Sequence, residues 1–277
     1  LKNSSGNGNT AIGNNTLSAN TSGNSNTVIG SGALMRNTTG NYNTVLGLGS
    51  MTNNITGDRN SAIGTYSLYK NTTGSRNTAL GDSSMQNNTT GSFNTATGYA
   101  SLASNTAGEY NSAYGSFSME KNTSGTENIA FGGEALRNNT TGSSNVAMGT
   151  GTLNSNTTGG ENTAIGRRAM NNNTTGTFNT AIGQAALYAN ISGSNNTAMG
   201  RLSLVYNTAE SNTAFGSTSL NKNTTGKNNT GIGYYVLGSN LTGSNNTGIG
   251  FNAGAKLTSG DKNVFIGNEA GNNFNFS

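Results

Sequence analysis

Apolar residues fall at fixed offsets in this chain, inside a short phrase that returns from one end to the other; Asn162-Thr163-Ala164-Ile165-Gly166 is one copy. The leading Asn recurs at 9, 26, 43, 60, 77, 94, 111, 128, 145, 162, 179, 196, 212, 229, 246 and 263, a step of 17 residues broken once by a 16-residue step at Asn212. A period this regular marks a solenoid or fibre. Units so short, with Asn, Thr and Gly in every copy, have neither the length nor the propensity for helices. The pattern predicts an all-β parallel β-solenoid, a β-roll or β-helix of sixteen 17-residue coils. At about 4.8 Å between paired strands such a stack is roughly 75 Å long. Residues 1–245 keep the regular repeat; 246–277 vary it as a cap or transition, with Gly254 and Gly271 where earlier copies carry Leu or Met.

Numbering one unit from its leading Asn separates corners from strands. Position one is Asn and position five is Gly in all copies, so Asn162, Asn179, Gly166 and Gly183 represent one corner. Asn tolerates left-handed backbone and bonds locally, and stacked Asn amides can ladder from coil to coil. Asn-Thr-Thr-Gly at positions twelve to fifteen, represented by Asn173 and Gly176, forms the second corner. Positions two and four share one side of a strand. Position four is almost always large and apolar, and position two accepts Ile129, Val146 and Val264, so both are expected to point inward. The expected core ladder is Ile12, Ile63, Ile165 and Ile182 with the position-nine residues Leu68, Leu136 and Leu187. Position three then faces out, yet it is small and apolar, as in Ala62, Ala79, Ala147, Ala164 and Ala181. A strand apolar on both faces is buried on both, so this stripe is expected to lie against another copy of the chain. The shortened coil around Tyr206 to Ser211 loses its corner Gly and is expected to tighten one turn.

Composition narrows the function mainly through what is missing. The chain has no Cys, Pro, Trp or His, 31% hydrophobic residues, 9% charged residues and 42 Gly. Low net charge (+4) and strict apolar periodicity set it apart from disordered segments. Without His or Cys the usual triads and thiol nucleophiles are excluded, as are metal sites built on those ligands. The scattered acidic residues read as solvated surface, Glu127 and Glu161 at equivalent positions included. No catalytic residue, metal site or cofactor is therefore expected. Basic residues are too dispersed for a nucleic-acid partner, with Arg167, Arg168 and Arg201 as the only local concentration. No apolar run approaches the roughly 20 residues that span a bilayer, so no membrane insertion of this segment is expected. No signal peptide is visible and the repeat is under way by Asn9, so the chain reads as a processed product or an excerpt.

The phrase Asn-Thr-Ala-Ile-Gly followed by a small residue and Leu, as in Asn179 to Leu187, resembles the head repeats of trimeric autotransporter adhesins, whose units carry Ser-Val-Ala-Ile-Gly. It is also similar to repeats in tail-fibre-domain proteins of bacteria and phages. The unit is longer than the adhesin family's usual one of about fourteen residues. The resemblance implies a left-handed roll and a homotrimer of chains side by side, at a cell surface or on a virion fibre. It further implies a host or matrix protein, or a glycan, as ligand.

The expectation is thus a non-enzymatic extracellular fibre or adhesin segment that presents its variable faces. Exposed aromatics at position seventeen, Tyr42, Phe93, Tyr110 and Phe178, are candidate ligand contacts. Asn71, Asn139 and Asn173 lie in Asn-X-Ser/Thr sequons and are candidate glycosylation sites, although corner chemistry alone selects the same residues. Two other readings stay open. Unpaired strand edges could polymerise single chains end to end into a filament, and the Thr columns could match an ice lattice, a reading weakened if position two is buried.

Overall fold

The computed structural model describes residues 3–272 and is all-β among them, a parallel β-solenoid. The chain forms two compact units, one ending at Thr141 and the other beginning at Gly142. The first holds eight three-residue strands from β1 (Thr10–Ile12) to β8 (Ile129–Phe131), the second eight more from β9 (Val146–Met148) to β16 (Val264–Ile266). Within each unit every strand pairs in parallel with the next in sequence. Equivalent positions align, as where Thr163, Ala164 and Ile165 of β10 (Thr163–Ile165) meet Thr180, Ala181 and Ile182 of β11 (Thr180–Ile182).

Two columns of buried asparagines hold this register. Asn162 Nδ2 donates to Asn145 Oδ1 in the preceding coil (3.0 Å) and to the Gly176 carbonyl in its own coil (2.8 Å). Its Oδ1 accepts the backbone N–H and the Nδ2–H of Asn179, at 3.0 and 3.1 Å. The amide has thereby used both donors and both lone pairs. In the position-twelve column, Asn173 Nδ2 donates to Asn156 Oδ1 (2.8 Å) and also to the Gly176 carbonyl (3.1 Å). One carbonyl thus joins both ladders and closes the coil. A Cβ on Gly176 would strike Asn173 Oδ1 and the Gly193 carbonyl, so no other residue fits. Gly166 is held by a different constraint: its φ is +122°, and a Cβ would lie 2.8 Å from the Gly183 carbonyl.

The strands bury the face opposite to the expected one. Ala62, Ala79, Ala147, Ala164 and Ala181 are fully buried, whereas Ile12, Ile63 and Ile165 are exposed and Ile182 is half-exposed. The reason is the width of the coil. Leu68, Leu136 and Leu187 fill its centre, fully buried, with φ between 48° and 53°. That left-handed backbone costs a branched residue roughly 1–2 kcal/mol, and burying the side chain returns about 1.5–3 kcal/mol. At position three, a Cβ on Gly231 would already lie 3.3 Å from Leu220 Cγ. Beside a central Leu there is room for Ala or Val but not Ile, so the larger residue turns out.

The two pattern breaks preserve this interior. In the short coil the Ala209 carbonyl replaces that of the corner Gly, accepting Asn196 Nδ2 and Asn207 Nδ2 at 2.8 Å each. β12 (Thr197–Met199) and β13 (Thr213–Phe215) stay in register. The missing residue is absorbed in the turn, but Asn190 Oδ1 is left without a partner. Near the other end Leu257, fully buried, occupies position twelve, and Asn240 Oδ1 is likewise orphaned because Leu offers no donor. In the last described coil the core exchanges its large and small positions. Phe265 takes position three and is buried, and its ring lies where a Cβ on either Gly254 or Gly271 would fall.

Asn162→Asp removes both amide donors and sets a buried carboxylate against two oxygens. It is expected to lower the unfolding free energy by at least about 3 kcal/mol, while Asn195→Asp on the exposed position-seventeen column changes it by less than about 0.5 kcal/mol. Urea denaturation of both variants measures the difference.

Candidate functional site

The three-residue strands turn positions two and four to solvent, so each unit displays a sheet face of two parallel columns. In the second unit the position-two column reads Val146, Thr163, Thr180, Thr197, Thr213, Thr230, Thr247 and Val264, all half-exposed or exposed. Beside it, position four runs from Met148 through Ile165, Phe215, Ile232 and Ile249 to Ile266, all exposed at between 36% and 68%. The first unit carries the same face from Ile12 to Phe131. No charged residue occupies either column in any copy. Seven large side chains of this column in the first unit and six in the second, where Ile182 and Met199 are half-exposed, are exposed to this degree and amount to on the order of 500 Å² of apolar surface per unit, near the upper end of what monomeric proteins leave uncovered. The expected outer stripe of Ala is therefore absent from the surface, and the side chains expected inside form one in its place.

The candidate aromatics are exposed, but three of them are engaged with their own column. Phe93 and Tyr110 stack with ring centres 4.8 Å apart and planes 7° from parallel. Arg76 lies 5.0 Å from the centre of the Phe93 ring, and Arg59 lies 5.3 Å from that of Tyr42. Position seventeen has left-handed backbone (Tyr42 φ 55°, Tyr110 φ 57°), and its side chains repeat at the coil spacing, so neighbouring rings meet face to face. Both faces of Phe93 are occupied. This column offers a ligand ring edges, phenol hydroxyls and guanidinium N–H groups more than open platforms, which corrects the expectation of rings free to stack on sugars. Phe178, in the second unit, is exposed.

The sequon asparagines are buried and their amides are in use. Asn71 Nδ2 donates to Asn54 Oδ1 (2.9 Å) and the Gly74 carbonyl (2.8 Å), and Asn139 Nδ2 donates to Asn122 Oδ1 (2.8 Å). Asn173 is bound in the ladder described above. A glycan on any of these nitrogens is incompatible with the folded coil, so Asn71, Asn139 and Asn173 serve the corner.

Charged groups are sparse and mostly superficial. Arg137 Nε donates to Glu120 at 2.7 Å while its guanidinium covers Phe117 at 4.9 Å. Lys227, 2.8 Å away, holds the exposed Glu210 carboxyl below its ordinary pKa by hydrogen bond and charge. Among the described residues no three His, Cys, Asp or Glu side chains gather where they could hold a metal ion, and no helix is long and apolar enough to cross a membrane. A feature that the sequence did not single out is a cleft in the second unit, beside Arg167 and Arg168 and over Ala185. The available signal was the local concentration of Arg167, Arg168 and Arg201; Ala185 by itself was none, because position seven is also small at Gly49, Ala100 and Gly151.

The two faces of a strand can be told apart by substitution. Ala164→Asp buries a charge at a site without room for it and is expected to abolish the folded circular dichroism spectrum, whereas Ile165→Asp leaves that spectrum unchanged. No protein-family model matches this chain and no curated protein matches its sequence.

Proposed function

We propose that this chain is a non-enzymatic extracellular fibre or adhesin segment whose coils pack side by side on copies of itself, three together as the resemblance to adhesin heads suggests, and that it presents its variable columns to a ligand at a cell or virion surface. The observation that carries this reading is the uncharged row of exposed large apolar residues at position four. Three properties favour a second copy as what covers it. The face repeats at the coil spacing of about 4.8 Å, so a partner with the same pitch can match it at every coil, while an aperiodic partner would match it locally. The absence of charge from both columns lets two such faces approach without repulsion. The apolar area of one unit, with the Thr methyl groups added, approaches the roughly 800 Å² per partner of a standard stable interface.

A second reading has gained from the orientation of the strands. Thr163, Thr180, Thr197, Thr213, Thr230 and Thr247 stand on the solvent side in consecutive coils, which favours regular ordering of water against the sheet, as in an ice-binding face. Ile165, Phe215 and Ile249 beside them are too uneven in size for a flat lattice match, so self-association remains the preferred reading.

Light scattering on the purified chain tests both. A discrete species at three times 28.1 kDa is expected, together with dissociation to monomer in the Ile165→Asp, Ile182→Asp double variant at unchanged circular dichroism. A wild-type monomer overturns the side-by-side assembly. Thermal hysteresis of such a monomer would then support the ice-binding reading, and filaments of single-chain width in electron micrographs would support end-to-end polymerisation.

A further inference from the structure

The second unit holds a cleft of about 280 Å³ built by three consecutive coils, those led by Asn162, Asn179 and Asn196. Its centre is a gap in a column. Position seven is Arg168, Ala185 and Leu202 in these coils, all with left-handed backbone at φ 58°, 53° and 57°. The same backbone at position seven bears Tyr66 and Phe117 in the first unit and Tyr235 in the second, so a ring is accepted there. Ala185 leaves the space of that ring empty. The backbone around the gap is pinned, with Ala185 N donating to the Arg167 carbonyl (3.1 Å) and Leu202 N to that of Gln184 (3.0 Å), so the cleft is part of the coil stack.

The lining combines three kinds of group. Leu202 and the buried Val205 join Ala185 as an apolar floor. Tyr188 and Tyr206 add aromatic walls, each with a hydroxyl, and Gln184 adds an amide. Arg167 and Arg168 bring two exposed guanidinium groups, neither of which is in an ion pair among the described residues. Elsewhere such groups are used internally: Arg137 pairs with Glu120, and Arg59 and Arg76 lie over rings of their own column. Arg201 continues the position-six column of Arg167 and Gln184 and extends the positive potential without lining the cleft.

We propose that this cleft binds a carboxylated sugar residue of an acidic glycan. The carboxylate would take the fork of Arg167 or Arg168, the geometry in which guanidinium outperforms ammonium. The ring's C–H face would lie on the apolar and tyrosine surfaces, and its hydroxyls would meet Gln184 and the two phenols. The volume suits one six-membered ring with its substituents, slightly below the usual range for drug-sized ligands. A nucleic-acid strand fits less well, because it needs positive charge tracking a backbone over many nucleotides, whereas here the charge is confined to one cleft. The site deepens the ligand-presenting part of the function proposed above, yet it is complete within one chain. Its failure would leave the self-association result untouched, and the reverse holds equally.

Isothermal titration calorimetry on the full chain, with the methyl glycosides of N-acetylneuraminic acid and of glucuronic acid as probes and methyl galactoside as the neutral control, tests the site. At least one acidic sugar is expected to bind about tenfold or more tightly than the neutral one. Arg168→Gln and Ala185→Phe are each expected to weaken that binding by about tenfold or more, with circular dichroism unchanged, whereas Lys222→Gln, which removes an exposed cation outside the cleft, binds as the parent chain does. Ala185→Phe places in this column the residue that Phe117 already supplies, and Arg168→Gln is an independent check on a surface position. Equal binding of acidic and neutral sugars overturns the proposal. So does the absence of binding by either acidic sugar at millimolar concentration, binding that survives Ala185→Phe, or inorganic sulfate matching the acidic sugars.

Discussion

An amide buried in a coil this narrow has to be answered by another amide, and in this protein that requirement sets the spacing of everything else. Asn162, like most position-one Asn residues, gives its two donors to the coil before it and to the closing carbonyl of its own coil, then receives two donors from the coil after it. Each such bond contributes modestly, about 0.5–1.5 kcal/mol net. The larger constraint is the penalty for leaving a buried polar group unanswered, and it acts at every coil. A shift of one residue in any coil would orphan a whole set of buried groups. The orphans that do occur at Asn190 and Asn240 adjoin the shortened coil and the Leu257 substitution, where the column is interrupted.

With corners fixed by amides, little width remains for an apolar interior. Each coil affords one large side chain, normally Leu or Met at position nine, and holds it in left-handed backbone because the turn must double back within a few residues. The last described coil moves the large residue to Phe265 and compensates with Gly254 and Gly271, so the volume is kept while the position changes. Such a core, made of near-identical layers, derives its stability largely from neighbour-to-neighbour contact. That arrangement leaves the outward columns free to vary without cost to the fold.

Those columns divide into two kinds. The sheet face is monotonous, uncharged and apolar, properties suited to a partner with the same repeat. The turn columns are irregular, with a ring-and-guanidinium stack in the first unit and an open cleft at Ala185 in the second. In that cleft Ala185 stands between Arg168 and Leu202, and the Arg167 and Arg168 guanidinium groups are in no ion pair among the described residues.

The period, the corners and the all-β class were legible in the sequence because they rest on identity repeated at one spacing, and no tertiary information is needed to see that Asn at position one and Gly at position five never change. The position-nine core was legible for the same reason, since Leu and Met recur where polar residues surround them. The direction of each strand was not. Alternation divides Thr163, Ala164 and Ile165 into two faces but does not say which is inside, and the usual preference for burying the larger residue pointed the wrong way. Only the folded coil decides, because the central Leu leaves space at position three for Ala or Val but not for Ile. The same limit applied to the rings and the cleft: which of Phe93, Tyr110 and Ala185 meets a neighbour or an opening depends on distances between coils, and these exist only once the chain has stacked.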